Sequence, residues 1–207
     1  MNHRTTLLLA SLSLFACRGA APEPSAAPPP ERAPSGPAPM NNPHGNPPAH
    51  AGTLHWTDPT SWHRGTPSSS MRIAQYTIPA LDPNAEGELA VFWFGAGQGG
   101  SIDSNLQRWY GQFAQPDGRP SASVATRETR TSHGLNVTVT KLEGRFSGGG
   151  GMMPGAAPGA PREGYALLAA IVETPNGPWF FKLTGPRATV AAATPTFDEM
   201  VASFEFR

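Results

Sequence analysis

The sequence lacks an excess of charge of either sign. Only 14% of its 207 residues are charged, and the formal net charge at pH 7 is zero. A nucleic-acid backbone is held by a basic surface, and a cationic partner by an acidic one. The composition supplies neither surface, so we expect no nucleic-acid partner.

Cysteine is almost absent and the histidines are scattered. Cys17 is the single cysteine, so the protein has to build its core without disulfides. No H-x-x-x-H pair or second cysteine supplies the spacing of a metal site. We therefore expect no metal and no cofactor. The histidines concerned are His44, His50, His55, His63 and His133.

Long hydrophobic runs are missing as well. Residues 7–16 form an apolar run after Arg4, but this run is too short to span a bilayer comfortably. A basic start followed by a short apolar core is typical of a secretion signal. Residues 1–16 are therefore predicted to be an export signal peptide.

The end of that run carries a recognisable pattern. Leu14-Phe15-Ala16-Cys17 resembles the bacterial lipobox. The resemblance implies a lipoprotein in which Cys17 is lipidated, becomes the mature N-terminus and anchors the chain to a membrane. Arg18 stands where aspartate would signal inner-membrane retention, which favours the outer membrane, with the domain in the periplasm or at the cell surface. The alternative is an ordinary cleaved signal peptide that releases a soluble protein.

Residues 17–52 are rich in proline and alanine and contain little that could form a core. Such a segment is predicted to be a disordered, extended tether, and at about 3.1 Å per residue it reaches on the order of 100 Å. It would hold the folded part away from the bilayer. A proline-rich ligand for another domain is the alternative interpretation.

Residues 53–207 are predicted to form one α+β domain, with a mainly antiparallel central sheet flanked by helices. Residues 147–164 read as a flexible loop rich in Gly, Met and Pro. A helix is expected over 102–114 and a C-terminal helix broken in two near Pro195. Strands are expected at 71–78, 88–94, 123–130, 135–146, 165–174 and 179–183, with a short one before Trp62.

Two strands carry finer expectations. In 135–146, Val137 and Val139 alternate with Thr138 and Thr140, which predicts one buried and one wet face. A bulge is expected near Lys141 in the same strand. Between the last two strands, Pro-Asn-Gly-Pro signals a hairpin turn that the prolines could loosen.

A family resemblance covers most of this domain. Trp62 and Pro67 before MRIAQYTIP, a glycine-rich turn into a helix, two hairpins and a final TFDEMVASFEF segment together resemble the PsbP/DcrB-like fold. The resemblance implies small exported domains, often lipid-anchored, that act as accessory or assembly factors. It implies no shared catalytic residues.

The segment FWFGAGQGGSIDSN contains a G-x-G-x-x-G match. A dinucleotide site also needs a parallel strand after the helix and an acidic residue for the ribose. Asp117 has roughly that spacing but lies in a turn, so we reject the interpretation as a dinucleotide-binding site. The glycines either make a turn with positive φ or leave bare amides that hold an anion or a peptide terminus. The residues concerned are Gly95, Gly97, Gly99, Gly100 and Ser101.

The aromatic residues allow two interpretations. Trp93, Trp109 and Trp179 either pack in the core or, with Met152 and Met153 of the flexible loop, form a protein-binding face. We expect a non-catalytic binding or accessory module with an envelope protein partner. The alternative is a small periplasmic hydrolase whose active-site residues are not adjacent in sequence.

Overall fold

A computed structural model of the protein describes residues 52–148 and 160–207. The predictions for residues 1–51, including Cys17, and for Met152 and Met153 lie outside the described residues. The elements in chain order are β1 (Leu54–His55), β2 (His63–Gly65), β3 (Arg72–Ile78), β4 (Gly87–Trp93), α1 (Ile102–Tyr110), β5 (Phe113–Ala114), β6 (Thr126–Ser132), β7 (Leu135–Phe146), β8 (Arg162–Thr174), β9 (Gly177–Pro186), α2 (Arg187–Ala202) and β10 (Glu205–Phe206).

Most strands join one large sheet in which all pairs are antiparallel. Its order is β2-β3-β4-β9-β8-β7, and both β5 and β6 pair with the outer edge of β7. The first and last strands, β1 and β10, form a separate two-stranded sheet. The pairs β2-β3, β3-β4, β6-β7 and β8-β9 are hairpins with short connections, which antiparallel pairing permits. The predicted α+β fold class is confirmed.

One helix covers each face of the large sheet. Because both faces are covered, residues 166–172 of the central strand β8 are buried without interruption. Full burial of one large apolar side chain stabilises the fold by about 1.5–3 kcal/mol relative to an exposed one. The helices bury large side chains on both faces. These are Phe197, Met200 and Val201 of α2 on one face, and Leu106, Trp109 and Tyr110 of α1 on the other.

Strand β7 has the predicted bounds, but the face that carries its threonines is buried rather than exposed to solvent. Thr138 is 5% exposed and Thr140 is 1% exposed. The hydroxyl groups of Thr140 and Tyr110 of α1 are 2.7 Å apart, and Thr140 also donates to the Thr126 carbonyl. The alternation prediction failed because α1 covers a face whose polar side chains can be satisfied by hydrogen bonds.

The helices end differently from the prediction. Helix α1 stops at Tyr110, where the Gly111 N–H donates to the Gln107 carbonyl, and the chain then pairs with β7 as β5. Helix α2 is continuous through Pro195 rather than broken. Its buried face is packed on the sheet both before and after Pro195, by Ala193 and Phe197 respectively, and this packing offsets the helix-breaking tendency of proline.

Two further local predictions need correction. Residues 121–123 form a 3₁₀ turn, so the strand predicted from residue 123 begins at Thr126. The irregularity in β7 lies between Gly144 and Phe146 rather than at Lys141. A Cβ at Gly144 would lie 2.8 Å from the Ala114 carbonyl oxygen, so the irregularity lies where β5 pairs with β7.

The hairpin between β8 and β9 is tight despite its prolines. Thr174 pairs with Gly177, so Pro175 and Asn176 alone make the turn. Gly177 has φ +96°, and a Cβ there would lie 2.8 Å from the Gly95 carbonyl oxygen. Glycine is therefore needed at 177 for both its conformation and its close contact with the glycine-rich turn.

No helix in residues 52–148 or 160–207 is long and apolar enough to cross a membrane.

Candidate functional site

The glycine-rich turn connects β4 to α1 and has the predicted backbone. Gly95, Gly97, Gly99 and Gly100 have φ values of +99°, +69°, +88° and +76°. Ser101 then caps the helix, because its hydroxyl accepts a hydrogen bond from the Ser104 N–H at 3.1 Å. The strand that follows α1 is antiparallel to its neighbour, so the turn does not belong to a dinucleotide-binding unit.

The turn is held from inside the protein. Asn105 of α1 is 1% exposed, and its side-chain amide donates to the Gly99 carbonyl at 2.7 Å and the Ser101 carbonyl at 2.8 Å. A Cβ at Gly99 would lie 2.9 Å from Cε2 of Phe180. The glycines and Asn105 together fix a compact turn on the sheet, which is a structural role.

An open groove of about 420 Å³ lies beside this turn, between the start of α1 and the β8–β9 hairpin. Its charged lining consists of Asp103, Glu173 and Arg127. Arg127 already pairs with Asp103 at 2.6 Å. Two carboxylates and one paired arginine disfavour an anion in this groove. Anion binding by the bare amides of the turn stays a prediction.

The three tryptophans do not share a surface. Trp93, Trp109 and Trp179 are 6%, 4% and 2% exposed. Trp93 and Trp179 pack together on the α2 side of the sheet, with ring centroids 5.8 Å apart. Trp109 lies on the α1 side against Phe180. The expectation that they form a protein-binding face is therefore wrong, because a helix covers each face of the sheet.

A partly buried network fastens the first residues of the domain to β3. The hydroxyl of the buried Tyr76 donates to Asp58 at 2.5 Å and accepts from the Trp56 indole at 2.9 Å, and Arg64 pairs with Asp58 at 2.7 Å. Burial raises the pKa of Tyr76, and the hydrogen bond to Asp58 raises it further. Burial also opposes ionisation of Asp58, but hydrogen bonds from Tyr76 and Arg64 outweigh it and lower its pKa.

The second notable cluster, which we call the Lys182 recess, lies on the α1 face of the sheet. It consists of Lys182 on β9, Arg72 on β3, Glu88 on β4, and Arg108 and Gln112 at the end of α1 and just after it. The Lys182 ammonium donates to the Gln112 side-chain carbonyl at 2.5 Å. Burial lowers the pKa of Lys182 to about 8, and the positive charges of Arg108 and Arg72 lower it further.

The register of the sheet places small residues on both sides of Lys182. Ala90 of β4 and Ala169 of β8 are its direct cross-strand neighbours, and both are buried. Gln75 of β3 continues the same row beyond Ala90. The two methyl side chains that flank Lys182 are too short to reach its ammonium group.

Polar and aromatic groups surround the recess. Arg72 pairs with Glu88 at 2.9 Å, and Gln75 accepts from Arg72 at 2.8 Å and donates to Glu88 at 3.0 Å. The Phe92 ring lies 6.0 Å from the Arg72 guanidinium and the Phe146 ring 5.8 Å from the Lys182 ammonium. Both rings are partly exposed. Glu88 is thus engaged by Arg72 and Gln75, and in the described part of the chain no carboxylate forms an ion pair with Lys182.

Sequence reasoning missed this recess. One signal was present, because Lys182 is the single charged residue in the apolar segment WFFKL. A lysine in a strand that is otherwise buried costs stability unless it is paired. Its neighbours Arg72, Arg108 and Gln112 come from distant parts of the chain and carry no shared sequence pattern.

Comparison with known proteins gives similarity in fold. No protein-family model matches the chain, and no curated protein matches it. A solution structure of cyanobacterial PsbP (CyanoP) from Synechocystis sp. PCC 6803 is similar with a TM-score of 0.43 and 14% identity, covering 74% of this chain and 86% of that one. PA94 from Pseudomonas aeruginosa, a protein of unknown function, is similar with a TM-score of 0.42 and 12% identity, covering 64% of this chain and 81% of that one.

Proposed function

We propose that this is a lipid-anchored cell-envelope protein whose α+β domain is a non-catalytic binding or accessory module. Cys17 would carry the lipid, residues 17–52 would act as the tether, and the domain would bind its ligand or an envelope protein partner. The outer membrane is the proposed location, since Arg18 follows the lipidated cysteine.

The observation that carries the binding role is the Lys182 recess. Its side chain is partly buried, and the described residues give the ammonium one hydrogen bond, to Gln112, and no carboxylate partner. A strand that needed only stability would gain from an apolar side chain at this position, as at Phe181 and Leu183 on either side. A costly charge without a carboxylate partner, in a cluster of polar groups, is typical of a site that is kept for binding.

The way in which the chain enters the domain is compatible with tethering. The Thr53 N–H donates to the Arg207 carbonyl at 2.8 Å, and the Arg207 N–H donates to the Thr53 carbonyl at 3.2 Å. The tether would therefore join the domain at the small β1–β10 sheet. The large sheet and the recess belong to a separate set of strands.

The anchor is tested by metabolic labelling with radioactive palmitate in bacterial cells. We expect label in the wild-type protein and none in Cys17→Ser, with the wild type in the membrane fraction. An unlabelled, soluble wild-type protein would contradict the lipoprotein proposal and leave the alternative of a cleaved, released domain.

The partner is tested by photo-crosslinking from the tethered protein in cells. Leu81 is a fully exposed apolar residue of the domain and a suitable position for the crosslinker. We expect an adduct with an envelope protein that is lost when Cys17→Ser releases the domain. An adduct pattern that is unchanged by release would speak against an anchored accessory role.

The hydrolase alternative gains no support from the described residues. Ser132 Oγ lies 3.5 Å from Nδ1 of His133, but the Ser132 hydroxyl lies within hydrogen-bond distance of the Ala202 and Phe204 carbonyls. Nδ1 of His133 also faces the Phe204 carbonyl at 3.0 Å. The two residues therefore fasten the end of α2 to the sheet.

A further inference from the structure

The charges of the Lys182 recess do not balance within the described chain. Lys182, Arg72 and Arg108 are positive, and Glu88 is the one acidic group that acts on Lys182 among the described residues. Glu88 is already bonded to Arg72 and Gln75. The recess therefore carries an excess of positive charge in a partly desolvated position, where a bound anion is held more strongly than at an open surface.

Lys182 also retains hydrogen-bonding capacity. An ammonium group has three donors, and the described contacts use one of them, on Gln112. Hydrogen bonds between an ammonium and a carboxylate are among the stronger ones in proteins. A carboxylate above Lys182 would satisfy the free donors and offset the repulsion from the two guanidinium groups.

The remaining surroundings favour an organic anion over an inorganic one. Ala90 and Ala169 place buried methyl groups on both sides of Lys182. The partly exposed rings of Phe92 and Phe146 stand beside the charged groups. Such rings gain free energy by covering an apolar group and gain none from phosphate.

We propose that the Lys182 recess binds a small organic acid, with its carboxylate on Lys182 and its apolar part against Phe92 and Phe146. This inference rests on the binding role proposed above and is independent of the lipid anchor. If the protein is labelled by palmitate but its domain does not bind such an acid, this inference fails and the anchoring proposal stands.

The sequence offers a direct probe because the protein has lysine only at 141 and 182. Isotope-labelled lysine in the full chain therefore gives two lysine side-chain signals by nuclear magnetic resonance. Lys141 is exposed on β7 and serves as the internal reference. Titration with sodium hexanoate is expected to move the Lys182 signal in a saturable manner and to leave the Lys141 signal in place.

Matched ligands and variants test the chemistry. Hexanol has the same apolar chain without the charge and should leave the Lys182 signal unmoved. Calorimetric affinity for hexanoate should fall by about tenfold or more in Lys182→Met, the loss expected for a charge-assisted hydrogen bond. Lys141→Met should bind as the wild type does. Retained fold in Lys182→Met is checked by its circular dichroism spectrum.

The outcomes are distinct. A Lys182 signal that hexanoate does not move overturns the inference in the wild-type protein, whatever the variant does. Equal binding of hexanoate and inorganic phosphate overturns the choice of an organic acid. Equal affinity in Lys182→Met and Lys141→Met overturns the assignment of the carboxylate to Lys182.

Discussion

Lys182 should make the protein more stable as the solution becomes mildly alkaline. Its pKa is lowered from 10.5 in the unfolded chain to about 8 in the folded protein, by burial first and then by Arg108 and Arg72. Between these two values the unfolded chain binds the proton and the folded protein does not. Stability therefore rises with pH across this window, and the cost of the buried charge is fully present below it.

The size of the effect follows from the shift. A shift from 10.5 to about 8 corresponds to about 3 kcal/mol of destabilisation at neutral pH. Roughly 2 kcal/mol of this should be recovered between about pH 7.5 and about pH 9.5. The charged groups that face Lys182 in the described residues are Arg72, Arg108 and Glu88.

The assay is urea unfolding of the wild type and of Lys182→Met at several pH values, followed by tryptophan fluorescence. The difference between the two proteins cancels groups that titrate in both. We expect Lys182→Met to be the more stable at neutral pH, and its advantage to shrink by about 2 kcal/mol as the pH rises. Parallel stability curves for the two proteins would refute the reasoning.

Three other changes test the structure. Gly97→Ala should lower the free energy of unfolding by about 1–2 kcal/mol because residue 97 has a left-handed backbone conformation. Gly99→Ala should lower it further, since the new Cβ would also lie 2.9 Å from Phe180. Equal losses in urea unfolding would contradict that contact. Asn105→Ala should lower the free energy of unfolding by about 1–3 kcal/mol and expose the turn to limited proteolysis, because two carbonyl groups lose their donor. The raised pKa of Tyr76 means that its contribution to the free energy of unfolding is present below about pH 10 and lost above it. In Tyr76→Phe, stability should therefore fall less steeply above about pH 10. An equally steep fall in the variant would count against the network.

Local sequence patterns predicted the features that depend on neighbouring residues. Most of β7 follows from the alternating β-forming residues at its start, and the start of α1 follows from Ser101 as a cap after glycines. The signals act through the backbone angles of the residues that carry them. The strand and the helix start that these signals predict are therefore found in the folded protein.

The same patterns gave wrong predictions of which strand side chains are exposed to solvent. Thr138 and Thr140 looked solvent-facing because they are polar, and the tryptophans looked available because alternation sends side chains to both faces. Whether a face is covered depends on helices that lie elsewhere in the chain. No pattern within one strand contains that information.

By itself, the sequence determined the class of the fold, the glycine turn and the hairpin order, because these depend on periodicity and on the conformational freedom of glycine. It also carries the lipobox-like stretch Leu14-Phe15-Ala16-Cys17 and the proline-rich segment, on which the anchoring proposal rests. Only the tertiary structure decided which side chains are buried and brought Arg72, Arg108 and Gln112 to Lys182. The physical reason is that the antiparallel sheet and the packing of α1 set distances between residues far apart in the chain, and electrostatic interactions depend on those distances.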